Sequence, residues 1–194
     1  MHTYPLTEVE PVVTNAELAY WLGVDATDRL LPIFAIAATS AAIEYLQSEL
    51  ISRTRRVVHQ EWPGIGTDTS PTISRNNINS MRYIDLPYSR IISVQSVLIG
   101  GVATTDYKQV DSLPAQLYFD TYAAIYENGD PVLVVDYTAG YGDINAVPQA
   151  IKSAVSMMAA YMYEHRGACD ATNALDQSGA AMALKPYKTF TVMM

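Results

Sequence analysis

The residue types that usually carry catalysis are few and unfavourably spaced in this chain. His2, His59 and His165 are the only histidines, and no two of them stand four residues apart, the spacing that lets one helix face hold a metal ion. Cys169 is the single cysteine, which excludes an internal disulfide and a cysteine-built zinc site. The sequence therefore predicts a protein without a metal or another cofactor.

The acid–base candidate is the run Glu164-His165-Arg166. Adjacent residues of a helix point about 100° apart, so these three side chains cannot converge on one substrate atom. A histidine and an arginine near the C-terminus of a helix interact favourably with the helix dipole instead. We interpret this run as a helix end.

Motifs for phosphate binding and nucleophilic attack are incomplete. Gly64-Ile-Gly66 and Gly140-Tyr-Gly142 lack the third glycine of a dinucleotide loop, and no Gly-Lys-Ser/Thr sequence occurs. No serine stands in a Gly-x-Ser-x-Gly turn, so we predict no catalytic residue. One alternative stays open, an enzyme or small-ligand-binding protein with a cleft in the strand-rich region. Its lining would be Tyr118, Tyr122, Tyr126 and Tyr137.

The composition predicts burial of apolar surface against partners. Hydrophobic residues make up 49% of the 194 residues and charged residues only 16%, below the roughly 25% of an average globular protein. The net charge of −8 argues against tight nucleic-acid binding, because that affinity comes mainly from Lys and Arg displacing counterions from phosphates. The one basic cluster, Arg53, Arg55 and Arg56, is expected on a solvated strand face or in salt bridges between subunits.

Nothing in the sequence suggests a membrane partner. Apolar runs stop well short of the roughly 20 residues needed to cross a bilayer. Residues 1–8 lack a basic start followed by an apolar segment, so we expect neither a membrane span nor a signal peptide.

Two helices are predicted in the first 50 residues. Thr14-Asn-Ala-Glu17 is a capping box that starts a short helix ending near Gly23. A longer helix is expected over 29–50, and Pro32 falls within its first turn, where a missing amide costs least.

The longer helix is apolar on two nearly opposite faces. A chain of this length offers little room to bury such a helix all round, so one face is predicted to contact a neighbouring subunit. The first face carries Leu30, Phe34, Ala37, Ala41 and Tyr45. The second face, which we assign to the subunit interface, carries Ile36, Ile43, Leu46 and Leu50.

The middle of the chain is predicted to be an antiparallel β-region. Residues 63–81 form a long polar stretch of turn formers, which we expect to be a projecting loop. β-Branched and alternating segments indicate strands over 53–62, 83–86, 91–99, 107–110, 116–118 and 132–138, with turn signals at Gly100-Gly101, Leu113-Pro114 and Asn128-Gly129.

A further helix follows the last strand. Gly140 and Gly142 allow positive φ where that strand ends, and Pro148 suits the first turn of a helix. The apolar residues that recur at helical spacing before Arg166 are Ile151, Val155, Met158 and Met162.

Helices at both ends with strands grouped between them indicate an α+β fold. The N-terminal helices and the C-terminal helix are expected to form a helical core, with the antiparallel β-region inserted between them. Residues 1–166 are predicted to be a single domain. Residues 167–194, rich in small and polar side chains, are predicted to be an extended C-terminal arm.

The order of these features resembles a known family. In order they are a strand, Ala139-Gly-Tyr-Gly142, a short loop, Val147-Pro148 and an amphipathic helix that ends in Tyr161-Met-Tyr-Glu-His-Arg166. Together they resemble the head-to-tail connector (adaptor) proteins of tailed bacteriophages and phage-like particles. Further matching motifs are Asp25 with Asp28, Glu44-Tyr45, Leu50-Ile51, Leu86-Pro87, Ser93 to Val97, and Leu184 to Lys188.

The resemblance implies a structural virion protein that forms a ring, typically of twelve copies, beneath the portal of a DNA-filled head. Its partners would be the portal protein, a tail or stopper protein and further copies of itself, with DNA passing through the channel without sequence-specific binding. It would act in the virion neck after assembly in the host cytoplasm. A stopper or tail-end component is a second virion alternative.

The C-terminal arm is the predicted portal contact. Its small and polar residues are followed by apolar anchors, a composition suited to folding on a partner. These anchors, the candidate portal-binding residues, are Leu184, Pro186, Tyr187 and Phe190.

Overall fold

A computed structural model describes residues 1–60, 83–88, 90–110, 112, 115–119, 133–166 and 171–188. Within these ranges the chain forms antiparallel sheets and five α-helices, as the predicted α+β class requires. The chain forms two compact units. The β-unit comprises residues 1–7, 53–139 and 190–194, and the helical unit comprises residues 8–52 and 140–189.

In its described residues, the β-unit contains two antiparallel sheets. A five-stranded sheet has the order β1-β2-β8-β4-β5, and a three-stranded sheet has the order β3-β7-β6. The strands are β1 (His2–Pro5), β2 (Arg53–His59), β3 (Tyr83–Leu86), β4 (Ile91–Ile99), β5 (Val102–Ala103), β6 (Lys108–Val110), β7 (Ala115–Tyr118) and β8 (Leu133–Ala139).

Strand β8 forms the centre of the larger sheet because it pairs on both sides, with β2 and with β4. Alternate residues of β8 point to one face, and on that face Val135 and Tyr137 are fully buried. Val57 of β2 joins the same core, as do Ile84 and Leu117 of the smaller sheet. The strand-rich sequence thus folds around one apolar core.

Most predicted strands are confirmed to within a residue or two. Two short edge strands, β1 and β5, were not anticipated, and β2 ends at His59, three residues earlier than expected. The turn at Gly100-Gly101 is confirmed, with φ of 53° and 79°. The predicted loop over 63–81 lies outside the described residues, as do the turn signals at Leu113-Pro114 and Asn128-Gly129.

The first helix, α1 (Asn15–Leu22), begins with the predicted capping box. The Glu17 amide donates to Thr14 Oγ1 at 3.2 Å, and the Thr14 amide donates to Glu17 Oε2 at 2.8 Å. The Thr14 amide and the Thr14 hydroxyl both donate to the Glu17 carboxylate, and these two bonds hold the pKa of Glu17 below its ordinary value because they favour the charged form. The helix ends at Gly23, whose φ of 66° is the left-handed conformation expected there.

The second helix, α2 (Leu31–Leu46), has Pro32 in its first turn as predicted and ends at Gln47. Its packing corrects the predicted subunit interface. Ile43, Leu46 and Leu50 are at most 4% exposed within the single chain, so they belong to the core of the helical unit. Two apolar faces look alike in sequence, and the packing of the other helices decides which one is buried.

The C-terminal helices also correct a prediction. The third helix, α3 (Gln149–Glu164), buries its apolar stripe as expected. It is followed by α4 (Ala171–Gln177) and α5 (Ala180–Leu184), in place of an extended arm. Their small residues allow close packing in the helical unit. The fully buried side chains are Ala174, Ala180 and Leu184.

None of the helices in the described part of the chain is both long enough and apolar enough to span a bilayer.

Candidate assembly surface

Helix α2 leaves a row of uncharged side chains facing outwards. Ile33, Ile36, Ala37 and Ser40 follow the i, i+3, i+4, i+7 spacing of one helix face, and we call these four residues the α2 stripe. Ile33 is 58% exposed and Ile36 is 41% exposed. Covering the exposed part of each isoleucine would contribute on the order of 1 kcal/mol. Of the four predicted interface residues, Ile36 alone remains accessible.

A second apolar surface lies at the end of α1. Tyr20 is 89% exposed and Trp21 is 54% exposed, whereas Leu18 and Ala19 beside them are buried. We call Tyr20 and Trp21 the α1 aromatic pair. Large aromatic side chains exposed in this way are typical of the residues that dominate protein interfaces. No sequence motif marks this pair.

The N-terminal end of α2 is fixed by residues that the resemblance had marked. Tyr163 on α3 donates its hydroxyl proton to Asp28 Oδ2 at 2.6 Å, and the Leu30 amide donates to Asp28 Oδ1 at 2.9 Å. The hydrogen bond from Tyr163 lowers the pKa of Asp28 and raises that of Tyr163 itself. Phe34 meets the Tyr163 ring edge-on, with 6.0 Å between ring centroids. These motif residues therefore orient α2.

The other end of α2 contacts the C-terminal segment. Tyr45 donates to the Ala181 carbonyl at 3.4 Å, and Lys188 Nζ lies 4.6 Å from the centroid of the Tyr45 ring. Leu184 is fully buried, so it is not available as a portal anchor. Pro186 is exposed, Tyr187 is half-buried, and Phe190 lies outside the described residues.

The Ala-Gly-Tyr-Gly motif closes tightly against residues 50–52. Gly140 has a φ of 135°, and a Cβ there would lie 2.7 Å from the Ile51 carbonyl oxygen, so only glycine fits. The amide and hydroxyl of Ser52 both donate to the Gly142 carbonyl, at 2.7 and 2.9 Å. The motif therefore has a structural role.

An open depression of about 640 Å³ lies beside this motif. It contains two carboxylates, those of Glu10 and Asp143, and Asp143 also accepts hydrogen bonds from the Asn145 and Ala146 amides. In the described part of the chain, no group of three histidine, cysteine or acidic side chains lies close enough to hold a metal ion. The depression is lined by Glu10, Pro11, Ile51, Ser52, Gly142, Asp143 and Ile144.

The two described tyrosines of the predicted cleft, Tyr118 and Tyr137, do not line a cleft together. Tyr137 is fully buried and donates its hydroxyl proton to the Pro87 carbonyl, so it belongs to the core of the β-unit. Tyr118 packs against Tyr83, with 5.0 Å between ring centroids. Tyr122 and Tyr126 lie outside the described residues.

The basic cluster on β2 is engaged within the β-unit. Arg56 makes two hydrogen bonds of 2.7 Å to Asp136, which lower the pKa of that carboxyl. Arg55 is buried with its guanidinium 3.4 Å from the centroid of the Tyr88 ring. Arg53 donates to the Thr7 carbonyl at 2.9 Å. These contacts argue against a phosphate-binding patch at this place.

A scan against protein-family models finds no match, and no curated protein sequence matches the chain. Solved structures do match. A chain in the neck of an empty GTA particle, computed with C6 symmetry, aligns with a TM-score of 0.75. A chain in the neck of a native GTA particle, computed with C12 symmetry, gives 0.72, and one in the virion of a native gene transfer agent particle gives 0.70.

Each of these three alignments covers 100% of this chain and 98% of the other, at 21% sequence identity. The chain therefore has the fold of these particle chains over its whole length.

Proposed function

We propose that this protein is a structural component of the neck of a phage-like particle, where it connects the DNA-filled head to the tail. The observation that carries this proposal is the whole-length fold match to chains of gene transfer agent necks, at TM-scores of 0.75 and 0.72. The motif resemblance to connector proteins supports the same function independently of the fold comparison. No catalytic activity or cofactor forms part of the proposal.

The proposed assembly is a homo-oligomeric ring, most simply of twelve copies. Support comes from the C12 and C6 symmetries of the neck structures that share the fold. Further support comes from the α2 stripe, because exposed isoleucines on a helix face are a cost to a monomer and a gain in an assembly. The subunit contact is accordingly assigned to Ile33 and Ile36, because Ile43, Leu46 and Leu50 are buried within the chain.

Passage of DNA through the ring suits the charge of the chain. A channel wall that bound phosphates tightly would retain the DNA that it must release. The net charge is −8, and Arg56 is neutralised by Asp136 within the β-unit. The acidic balance and the engaged arginines together favour a conduit that has no specific affinity for DNA.

The portal protein and a tail or stopper protein are the proposed partners of the ring. The portal contact is assigned to the end of the chain, with Pro186 exposed and Tyr187 half-buried in the described part. Phe190 remains a proposed anchor. Leu184 is not a proposed anchor because it is buried in the helical unit.

The experiment is deletion of the protein from a particle-producing strain, followed by electron microscopy. We expect DNA-filled heads and free tails to accumulate separately, and complementation with the wild-type chain to restore joined particles. Antibody labelling of complemented particles should mark the junction of head and tail. Normal joined particles without the protein, or labelling at the far end of the tail, would contradict the proposal.

A further inference from the structure

We propose that the ring contact joins two different surfaces, with the α1 aromatic pair (Tyr20 and Trp21) of one copy seated on the α2 stripe (Ile33, Ile36, Ala37 and Ser40) of the next copy. This inference rests on the proposed ring and names the side chains that close it. The occupant of the α2 stripe is therefore a second copy of this chain.

The symmetry of a ring requires two different contact surfaces on each subunit. In a ring of more than two identical subunits, each subunit contacts its two neighbours through different surfaces. The neck structures that share this fold were computed with C12 and C6 symmetry. A ring built from this chain therefore needs one surface that inserts and another that receives.

The helical unit has apolar surfaces of two complementary shapes. Tyr20 and Trp21 are large and project from the end of a short helix. The α2 stripe has small side chains, Ala37 and Ser40, beside its two isoleucines, which leaves room for an aromatic ring to lie against the helix. Interface cores combine large anchors with such receiving surfaces, and tyrosine and tryptophan are the commonest anchors.

The two surfaces do not cover each other within one chain. Tyr20 remains 89% exposed and Ile33 remains 58% exposed in the isolated subunit. The segment leading into α1 lies on the buried side of α2, because the Val12 amide donates to the buried Thr39 hydroxyl at 3.2 Å. Thr39 itself is fully buried, whereas Ile33 and Ile36 of the α2 stripe remain exposed, so the centre of the stripe lies outside this buried contact. The proposed contact is therefore one between copies.

Charge favours this pairing between copies. Each chain carries a net charge of −8, so a contact between copies is easiest where neither surface contains a carboxylate. The α1 aromatic pair and the α2 stripe contain no charged residue. Met182 on α5 is also 83% exposed, but it is a single flexible side chain, and scattered exposed apolar residues are normal on protein surfaces.

The test is cross-linking in assembled particles. Cys169 is first replaced by alanine so that introduced thiols are the only ones, and Trp21→Cys and Ala37→Cys are then combined. A short bis-maleimide should convert the double variant into a ladder of linked multimers that ends at the closed ring. Each single variant should give no cross-linked multimers. The matched control pair, Met182→Cys with Ala37→Cys, should give no ladder.

Two results would overturn the inference. One is a double variant that is incorporated into joined particles but yields no ladder. The other is linked dimers from Trp21→Cys alone, which would indicate contact between like surfaces. Absence of the protein from purified joined particles, read by immunoblot, would instead contradict the proposed function.

All variants are compared with the wild-type chain by thermal melting, which should be unchanged because both sites are on the surface.

Discussion

His59 shows at the residue scale how burial links stability to pH. The imidazole is buried at the end of β2, and its Nε2 atom has no hydrogen-bond partner among the residues that the structure describes. Burial is the main cause that lowers its pKa to about 4, with a smaller contribution from the positive N-terminus. The native state therefore holds His59 neutral across a range in which the unfolded chain, with an ordinary pKa near 6.5, binds a proton.

This difference in proton binding makes the free energy of unfolding depend on pH. Because the unfolded state takes up the proton first, the free energy of unfolding should fall as pH decreases from about 6.5 towards 4, by at most about 3 kcal/mol. Urea denaturation at pH 7 and pH 4.5 measures the loss. The variant His59→Leu should lose distinctly less over the same range, and an equal loss in both proteins would contradict the assigned origin.

The ion pair between Arg56 and Asp136 stabilises the β-unit. Asp136 accepts two hydrogen bonds from Arg56 and one from Ser96 at 3.1 Å. Asp136→Asn should lower the free energy of unfolding by about 1–2 kcal/mol, because it leaves a partly buried guanidinium without its counter-charge. Ser96→Ala removes only the weaker bond and should cost less. Equal costs for the two variants, measured by urea denaturation, would contradict this ranking.

At the scale of elements, the turn after β8 should tolerate no side chain. Gly140→Ala would combine a φ of 135° with a 2.7 Å approach to the Ile51 carbonyl, and should cost at least about 3 kcal/mol. The matched control is Gly101→Ala, where φ is 79° but nothing lies within 4 Å, and about 1 kcal/mol is expected. Similar thermal melting temperatures for both variants would show that the close approach is relieved.

Two substitutions in α2 distinguish an effect on stability from an effect on assembly. Ile43→Asp would place a carboxylate in the core of the helical unit and should cost several kcal/mol, enough to impair folding. Ile36→Asp changes an exposed position and should leave the melting temperature nearly unchanged while preventing incorporation into joined particles. Thermal melting and immunoblots of purified particles test both. Normal incorporation of Ile36→Asp would remove α2 from the subunit contact.

Local signals explain which elements were predictable from the sequence. The capping box at Thr14 to Glu17, the glycine at position 23 and the apolar spacing in α3 determine their own conformations, and the structure confirms them. The face of α2 that is buried depends on helices distant in sequence, so periodicity alone did not separate Ile36 from Ile43. Likewise, the alanines of α4 and α5 suggested an arm because small residues give a weak helical pattern, yet they suit close packing.

At the scale of the whole molecule, the C-terminal segment is part of the helical unit and also the proposed portal contact. A chain truncated before α5 loses the buried residues Ala180 and Leu184, so it should melt at a clearly lower temperature. A chain ending at Lys188 keeps them and should melt normally, yet fail to join heads to tails if Phe190 anchors the portal contact. Normal melting of the shorter chain, or joining by the longer one, would contradict these assignments.

The central claim concerns the place of the protein in a particle. A cryo-electron microscopy reconstruction of the head–tail junction, made from particles carrying this chain, tests it most directly. The result we predict is a cyclic ring at the junction whose subunits fit both the helical unit and the β-unit, with the central channel open to DNA. A junction at which no subunit fits this fold, in particles that contain the protein elsewhere, would contradict the claim.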